Sequence, residues 1–219
     1  MTRRSLLLTV LTLALATPAL AHDQKAPAHL SGTQLREEMR KLWEDHVTYT
    51  AFFYTAVISG GDDAGLLAER LLRNQDDLGN AVKPFYGEAA GNRLSALLRD
   101  HILVAADLVK AAKAGDAAGQ EQATRRWYAN ADELAAFLSS ANPYWPREAL
   151  QAALHGHLAM TTDAVVAKLH HDTAGAIAAY DKGHAHMLMV ADVLSGGIVK
   201  QFAARFAPID QALATQRAH

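Results

Sequence analysis

No cysteine occurs among the 219 residues. That excludes a disulfide scaffold, thiolate metal ligation, a thiol nucleophile and a lipid anchor on a cysteine. Basic residues carry no surplus, 21 against 23 acidic, and no arginine-rich run occurs, so a nucleic-acid partner is not expected. Only six prolines are present, glycine is gathered at a few places, and aromatics make up 7% of the chain. β-Branched residues never alternate with polar ones, which argues against sheets. There is no phosphate loop, no HExxH, no nucleophile–base arrangement, no paired-carboxylate signature and no CxxCH haem attachment. The His/Glu spacings of hemerythrin and ferritin-like bundles are also missing. What chemistry there is must use nitrogen, oxygen or thioether groups.

The start of the chain has the pattern of an export signal. Arg3 and Arg4 precede an apolar run from Leu6 to Ala16, and Ala19-Leu20-Ala21 supplies a small-residue cleavage site. The run is too short to span a bilayer, and no later stretch is continuously apolar. Residues 1–21 therefore read as a signal peptide, 22–30 as a flexible leader and 31–219 as one domain, periplasmic or secreted, with no stable membrane insertion. TRRSLLL loosely fits a twin-arginine signal as well as a general one.

Alanine and leucine dominate the remainder, and the expected fold class is all-α. Breaks at 59–65, 83–92, 114–119, 139–146 and 170–173 leave six long helical segments, a bundle of three antiparallel helical hairpins. Ser31 with Gln34 forms a capping box for the first. Asp62 or Asp63, Asp116 and Asp172 suit the N-caps of the second, fourth and sixth, and Pro146 the first turn of the fifth.

The hairpins repeat at about 55 residues, roughly 31–86, 87–143 and 144–206. His46, His101 and His157 recur at intervals of 55 and 56, and Asn74, Asn130 and His184 at 56 and 54. Each interrupts an apolar stripe at its middle, as His46 does in Leu35, Met39, Leu42, Phe53 and Val57, and as His184 does in Ile177, Tyr180, Leu188 and Ala191. Counting ~1.5 Å per residue from the turns puts all six at one height. A polar layer across the bundle is expected.

Buried polar groups cost ~1–3 kcal/mol each when unpaired, so six together call for a common purpose. Imidazole binds copper, zinc, iron and nickel, and three histidines with an open fourth position make a natural pseudo-threefold site. The expected ligands are His46, His101, His157 and His184. Asn74 and Asn130 would fix imidazole tautomers, Asp77 and Glu133 would add carboxylates one turn along, and Met160 and Met187 would add thioethers. The thioethers, in a stretch reading HAHMLM, tilt the choice of transition metal to copper over zinc or iron. Haem held by two histidines and a copper site at His22 with His29 are further readings. His155 and His186 read as surface residues, His170, His171 and His219 as turn or tail residues, and Trp43, Trp127 and Trp145 as packing residues. Methionines also fill core gaps, and a polar layer can set register without an ion.

The stretches KLWEDHVTYT, RNQDDLGNAVKPFYG, RDHILVAADLVKAAKAGD, RRWYANADELAAFLSSANP and YDKGHAHMLMVADVLSGGIVKQF resemble a family of small secreted or periplasmic bacterial helical proteins. The resemblance covers about residues 34–206. It implies an exported helical protein and no particular chemistry. The expectation is an exported metal-binding bundle for binding, storage or delivery, with no protein partner indicated. A metal-free structural or ligand-sensing bundle and a metalloenzyme with an open three-His site are the alternatives; no acid/base pair accompanies the histidines, which favours binding over catalysis.

Overall fold

A computed structural model describes residues 31–206. These form five α-helices: α1 (Gly32–Ser59), α2 (Ala64–Ala114), α3 (Ala117–Ala141), α4 (Arg147–Leu169) and α5 (Thr173–Gln201), followed by a short 3-10 turn (Ala203–Arg205). The signal-peptide and leader assignments lie outside the described residues. No described helix is long and apolar enough to cross a membrane.

Local chemistry sets most of the boundaries. The capping box opens α1 as expected: Gln34 N–H donates to Ser31 Oγ at 3.1 Å, and Ser31 N–H to Gln34 Oε1 at 2.8 Å. Asp116 caps α3 by accepting from Gly119 N–H at 3.0 Å, and Asp172 caps α5 by accepting from Gly175 N–H at 2.9 Å. Asp63 precedes α2 without a side-chain cap bond, and Pro146 is the residue just before α4 rather than in its first turn.

The expected second and third segments are run together in α2, a 51-residue element interrupted at Gly87. Gly87 has φ 84° and ψ 169°, a combination that a side chain on Cα all but forbids. Here the chain folds back. Arg99 on the later arm pairs with Asp76 on the earlier one at 2.9 Å. A Cβ on Gly79 would lie 2.5 Å from the Gly91 carbonyl oxygen and 2.0 Å from Ser95 Oγ, so the two arms meet backbone to backbone. Replacing Gly87 by alanine should cost ~1–3 kcal/mol, readable as a lower urea midpoint. An unchanged midpoint would mean the turn can be made with ordinary dihedrals.

Polar contacts record how the helices pack. The first arm of α2 meets α1, with Arg70–Asp45 at 3.0 Å; the second arm meets α3, with Arg126–Asp107 at 3.1 Å. The contact of α3 with α4 includes Gln151 to Asp132 at 2.7 Å, and that of α4 with α5 includes His186 Nε2 and the Ala153 carbonyl at 2.7 Å. Asp192 of α5 returns to α1, binding Arg36 and Arg40 at 2.7 and 2.8 Å, and the ring of helices closes.

Inside it the main core runs through Leu35, Met39, Leu78, Leu98, Leu134, Leu154, Leu158, Leu194 and Ile198. The apolar stripes expected on α1 to α4 are largely those buried. On α5 the buried stripe is Gly183, Met187, Val190, Ala191, Leu194 and Ile198, while Ile177 is 57% exposed. That corrects the expected face of α5 at Ile177 and His184, whereas Ala191 is buried as expected and Tyr180 packs against the core. Residues 177, 180, 184 and 188 form an adjacent stripe about one residue's rotation away, and periodicity does not choose between neighbouring stripes of similar hydrophobicity.

Candidate metal centre

Three buried imidazoles meet at mid-height. His46 comes from α1, His101 from the second arm of α2 and His157 from α4, with 2%, 3% and 5% of their surface exposed. The ring centroids of His46 and His157 are 5.5 Å apart, those of His101 and His157 6.1 Å. The recurring His46, His101 and His157 thus converge. Their low exposure follows from position, each sitting in the apolar stripe of its helix.

Burial controls their charge. Desolvation, then the neighbouring His101, depresses His46 from 6.5 to about 3. Desolvation likewise lowers His101 to about 4, although its bond to Asn130 opposes the shift. His157 is pushed well below its ordinary value by desolvation and then by His46, His101 and His186. All three are neutral imidazoles at neutral pH, the form in which histidine binds a metal.

They differ in what they have left to offer. His101 is fully engaged: Nδ1 meets Asn130 Oδ1 at 2.8 Å, and Nε2 accepts the Trp127 indole N–H at 3.1 Å. Those partners fix the proton on Nδ1, since Asn130 Oδ1 and the indole N–H can each play only one part. Asn130 in turn donates to the Leu97 carbonyl at 3.0 Å. By contrast, Nδ1 of His46 and Nδ1 of His157 are buried without a hydrogen-bond partner, as are Gln75 Oε1 and Trp43 Nε1. Trp43 lies edge-on to His46, centroids 5.4 Å apart.

The asparagines therefore do different work. Asn130 fixes a tautomer as expected. Asn74, fully buried, donates to the Leu42 carbonyl at 2.9 Å and accepts from Gln75 Nε2 at 3.1 Å; it holds Gln75, not an imidazole. Gln75 is 0% exposed and favours the charged form of His46. Sequence reasoning passed over it, although Leu71, Gln75, Leu78 and Val82 follow a heptad-like spacing that marks it as inward-facing.

The remaining expected site residues lie elsewhere. His184 is only partly buried, with Nε2 3.4 Å from Glu44 and its ring stacked on Tyr180 at 5.9 Å; it lies at the edge of the packed face of α5. Asp77 is exposed, and Glu133, also exposed, pairs with Arg93, so neither carboxylate faces the imidazoles. Charged side chains one turn along from Asn74 and Asn130 rotate toward water because the core offers them no partner. Met187 is 1% exposed within the main core. Met160 lines a small recess together with His157, Tyr180 and Gly183. His155 binds Asp132 at 2.7 Å. Trp127, expected only to pack, is also His101's donor.

Among the described residues, no three His, Asp or Glu side chains form a ready-made ligand set. The spacing of the His46 and His157 rings is compatible with two imidazoles on one ion and is equally an ordinary distance for packed rings. Metal–nitrogen bonds of ~2.0–2.1 Å at a tetrahedral angle put two ring centroids roughly 5–5.5 Å apart, which is the spacing of His46 and His157. No protein-family model, curated protein or solved structure matches the chain.

Proposed function

We propose that this chain is an exported transition-metal-binding bundle, for binding, storage or delivery, built as three helical hairpins around its imidazole layer. The hairpins would be α1 with the first arm of α2, the second arm with α3, and α4 with α5. The turn at Gly87 and the Gly79–Gly91 approach support that division.

The observation that carries the metal reading is the pair of buried, neutral histidines, His46 and His157, whose ring centroids lie 5.5 Å apart and whose Nδ1 atoms lack a close hydrogen-bond partner, with Gln75 against His46. Leaving such groups unmet costs ~1–3 kcal/mol apiece, and one ion would satisfy them together. His46 and His157 are the proposed ligands, Gln75 Oε1 the oxygen donor, and Met160 the nearby thioether that favours copper over zinc or iron. His101 is a positioning residue, since its Nε2 lone pair is taken by Trp127. The His101 bonds also support the metal-free reading, in which the layer sets register. A three-His enzyme site would require Trp127 to move.

Elemental analysis of untagged protein, followed by titration of the chelator-treated form with copper and zinc, tests this. Near-stoichiometric metal is expected, lost in both His46→Ala and His157→Ala and kept in Trp127→Phe. Tighter binding by Trp127→Phe would favour the three-His site. Absence of bound metal, with no thermal stabilisation by either ion, would leave the layer as architecture.

A further inference from the structure

Beside the imidazole layer, toward the α1–α2, α2–α3 and α4–α5 turns, lies a cavity of about 340 Å³ bounded by α1, α2, α3 and α4. Its size is within the ~300–1,000 Å³ range of small-molecule sites. Phe53, Leu71, Ile102 and Val109 make its apolar wall, and Trp127 and Tyr128 its α3 side. It reaches the surface between α3 and α4, where the lining residues Thr124, Thr162 and Asp163 are exposed.

Four polar side chains of this cavity, Thr50, Thr161, Thr162 and Asp163, offer only acceptor oxygens. Thr50, Thr161 and Thr162 each donate their hydroxyl hydrogen to a carbonyl one turn back, at 2.7, 2.9 and 2.9 Å, which leaves only lone pairs for anything bound. Asp163 provides the single formal charge in the lining, and among the described residues no lysine, arginine or histidine pairs with it or shares the cavity. Gln120, Thr124 and the hydroxyls of Tyr54 and Tyr128 can act in either sense. Apolar and aromatic walls, acceptor lone pairs and one carboxylate at the mouth are the complement of an apolar body with a positively charged donor head.

We propose that this cavity binds a protonated organic amine with an apolar body, its tail among Phe53, Ile102 and Val109 and its ammonium at Asp163. The proposal is independent of the metal reading, for it uses neither His46 nor His157. Trp127 joins the two regions, lining the cavity while donating to His101, so occupation should perturb its fluorescence.

Octylamine, 1-octanol and octanoate, titrated into the full-length mature protein, are the probes, read by tryptophan fluorescence and thermal shift. Octylamine is expected to bind about tenfold more tightly than octanol, the scale of one ion pair near a surface, and octanoate more weakly than either. Asp163→Asn, at an exposed position where folding is not at stake, should bring octylamine down to the level of octanol. Ala105→Phe, which fills the cavity, should abolish binding of both. Equal binding of octylamine and octanol, an octylamine affinity unchanged in Asp163→Asn, or no binding by any probe would overturn the proposal.

Discussion

Chelator-treated protein should lose roughly 4 kcal/mol of stability between pH 7.5 and pH 5, from His46 and His101 alone. Both titrate at 6.5 in the unfolded chain but at about 3 and about 4 when folded. Between those values the unfolded state binds protons that the folded state refuses, so acid favours unfolding. The stability is whole above 6.5 and declines as pH falls toward the folded values. At ~1.4 kcal/mol per pH unit, each histidine accounts for roughly 2 kcal/mol by pH 5, and His157 adds loss in the same direction. Against a typical total of about 5–15 kcal/mol this is a large fraction. With a slope of ~2 kcal/mol per molar urea, the midpoint should drop by roughly 2 M. Asp192 acts in a separate window: Arg36, then Arg40, hold its carboxyl down from 3.8 to about 2, so its contribution fades only below about pH 3.8. A urea midpoint that stays level from pH 7.5 to 5 would show that the imidazoles are hydrated or already charged in the folded protein.

The second large effect is a contrast within the layer. His101→Leu should destabilise the metal-free protein by roughly 2–4 kcal/mol, because it strands the buried Trp127 N–H and the Asn130 carbonyl while removing two hydrogen bonds. His46→Leu and His157→Leu remove rings whose Nδ1 atoms have no partner, and a leucine of similar volume takes over their apolar surroundings. Those two variants should be neutral or slightly stabilised. Added copper or zinc should then reverse their order, stabilising the native protein and His101→Leu but neither of the other two. Chemical denaturation of the three variants, with and without metal, reads both parts. Equal destabilisation by all three would mean that His46 and His157 are hydrogen-bonded in solution and hold no unmet nitrogen for an ion.

The sequence by itself determined the helical class, the capping box at Ser31, the caps at Asp116 and Asp172, and the convergence of His46, His101 and His157. Each of these follows from short-range rules: a cap needs a side-chain oxygen within three residues, and 3.6-residue periodicity with counted rise puts residues on a face and at a height. Tertiary structure decided everything that depends on the rotation of one helix against another. Met187, not His184, turns inward on α5, because two adjacent stripes were nearly equal in hydrophobicity and only packing against α1 and α4 selected one. Asn130 reached His101 while Asn74 reached Gln75, although the two asparagines occupy repeating positions. A few degrees of helix rotation change which partner lies within hydrogen-bond range. The Trp127–His101 bond, which separates a two-imidazole site from a three-imidazole one, joins α3 to the second arm of α2. The cavity beneath Asp163 exists because side chains from four helices leave a volume unfilled. Neither is a property of any one segment, so no pattern along the chain could announce it.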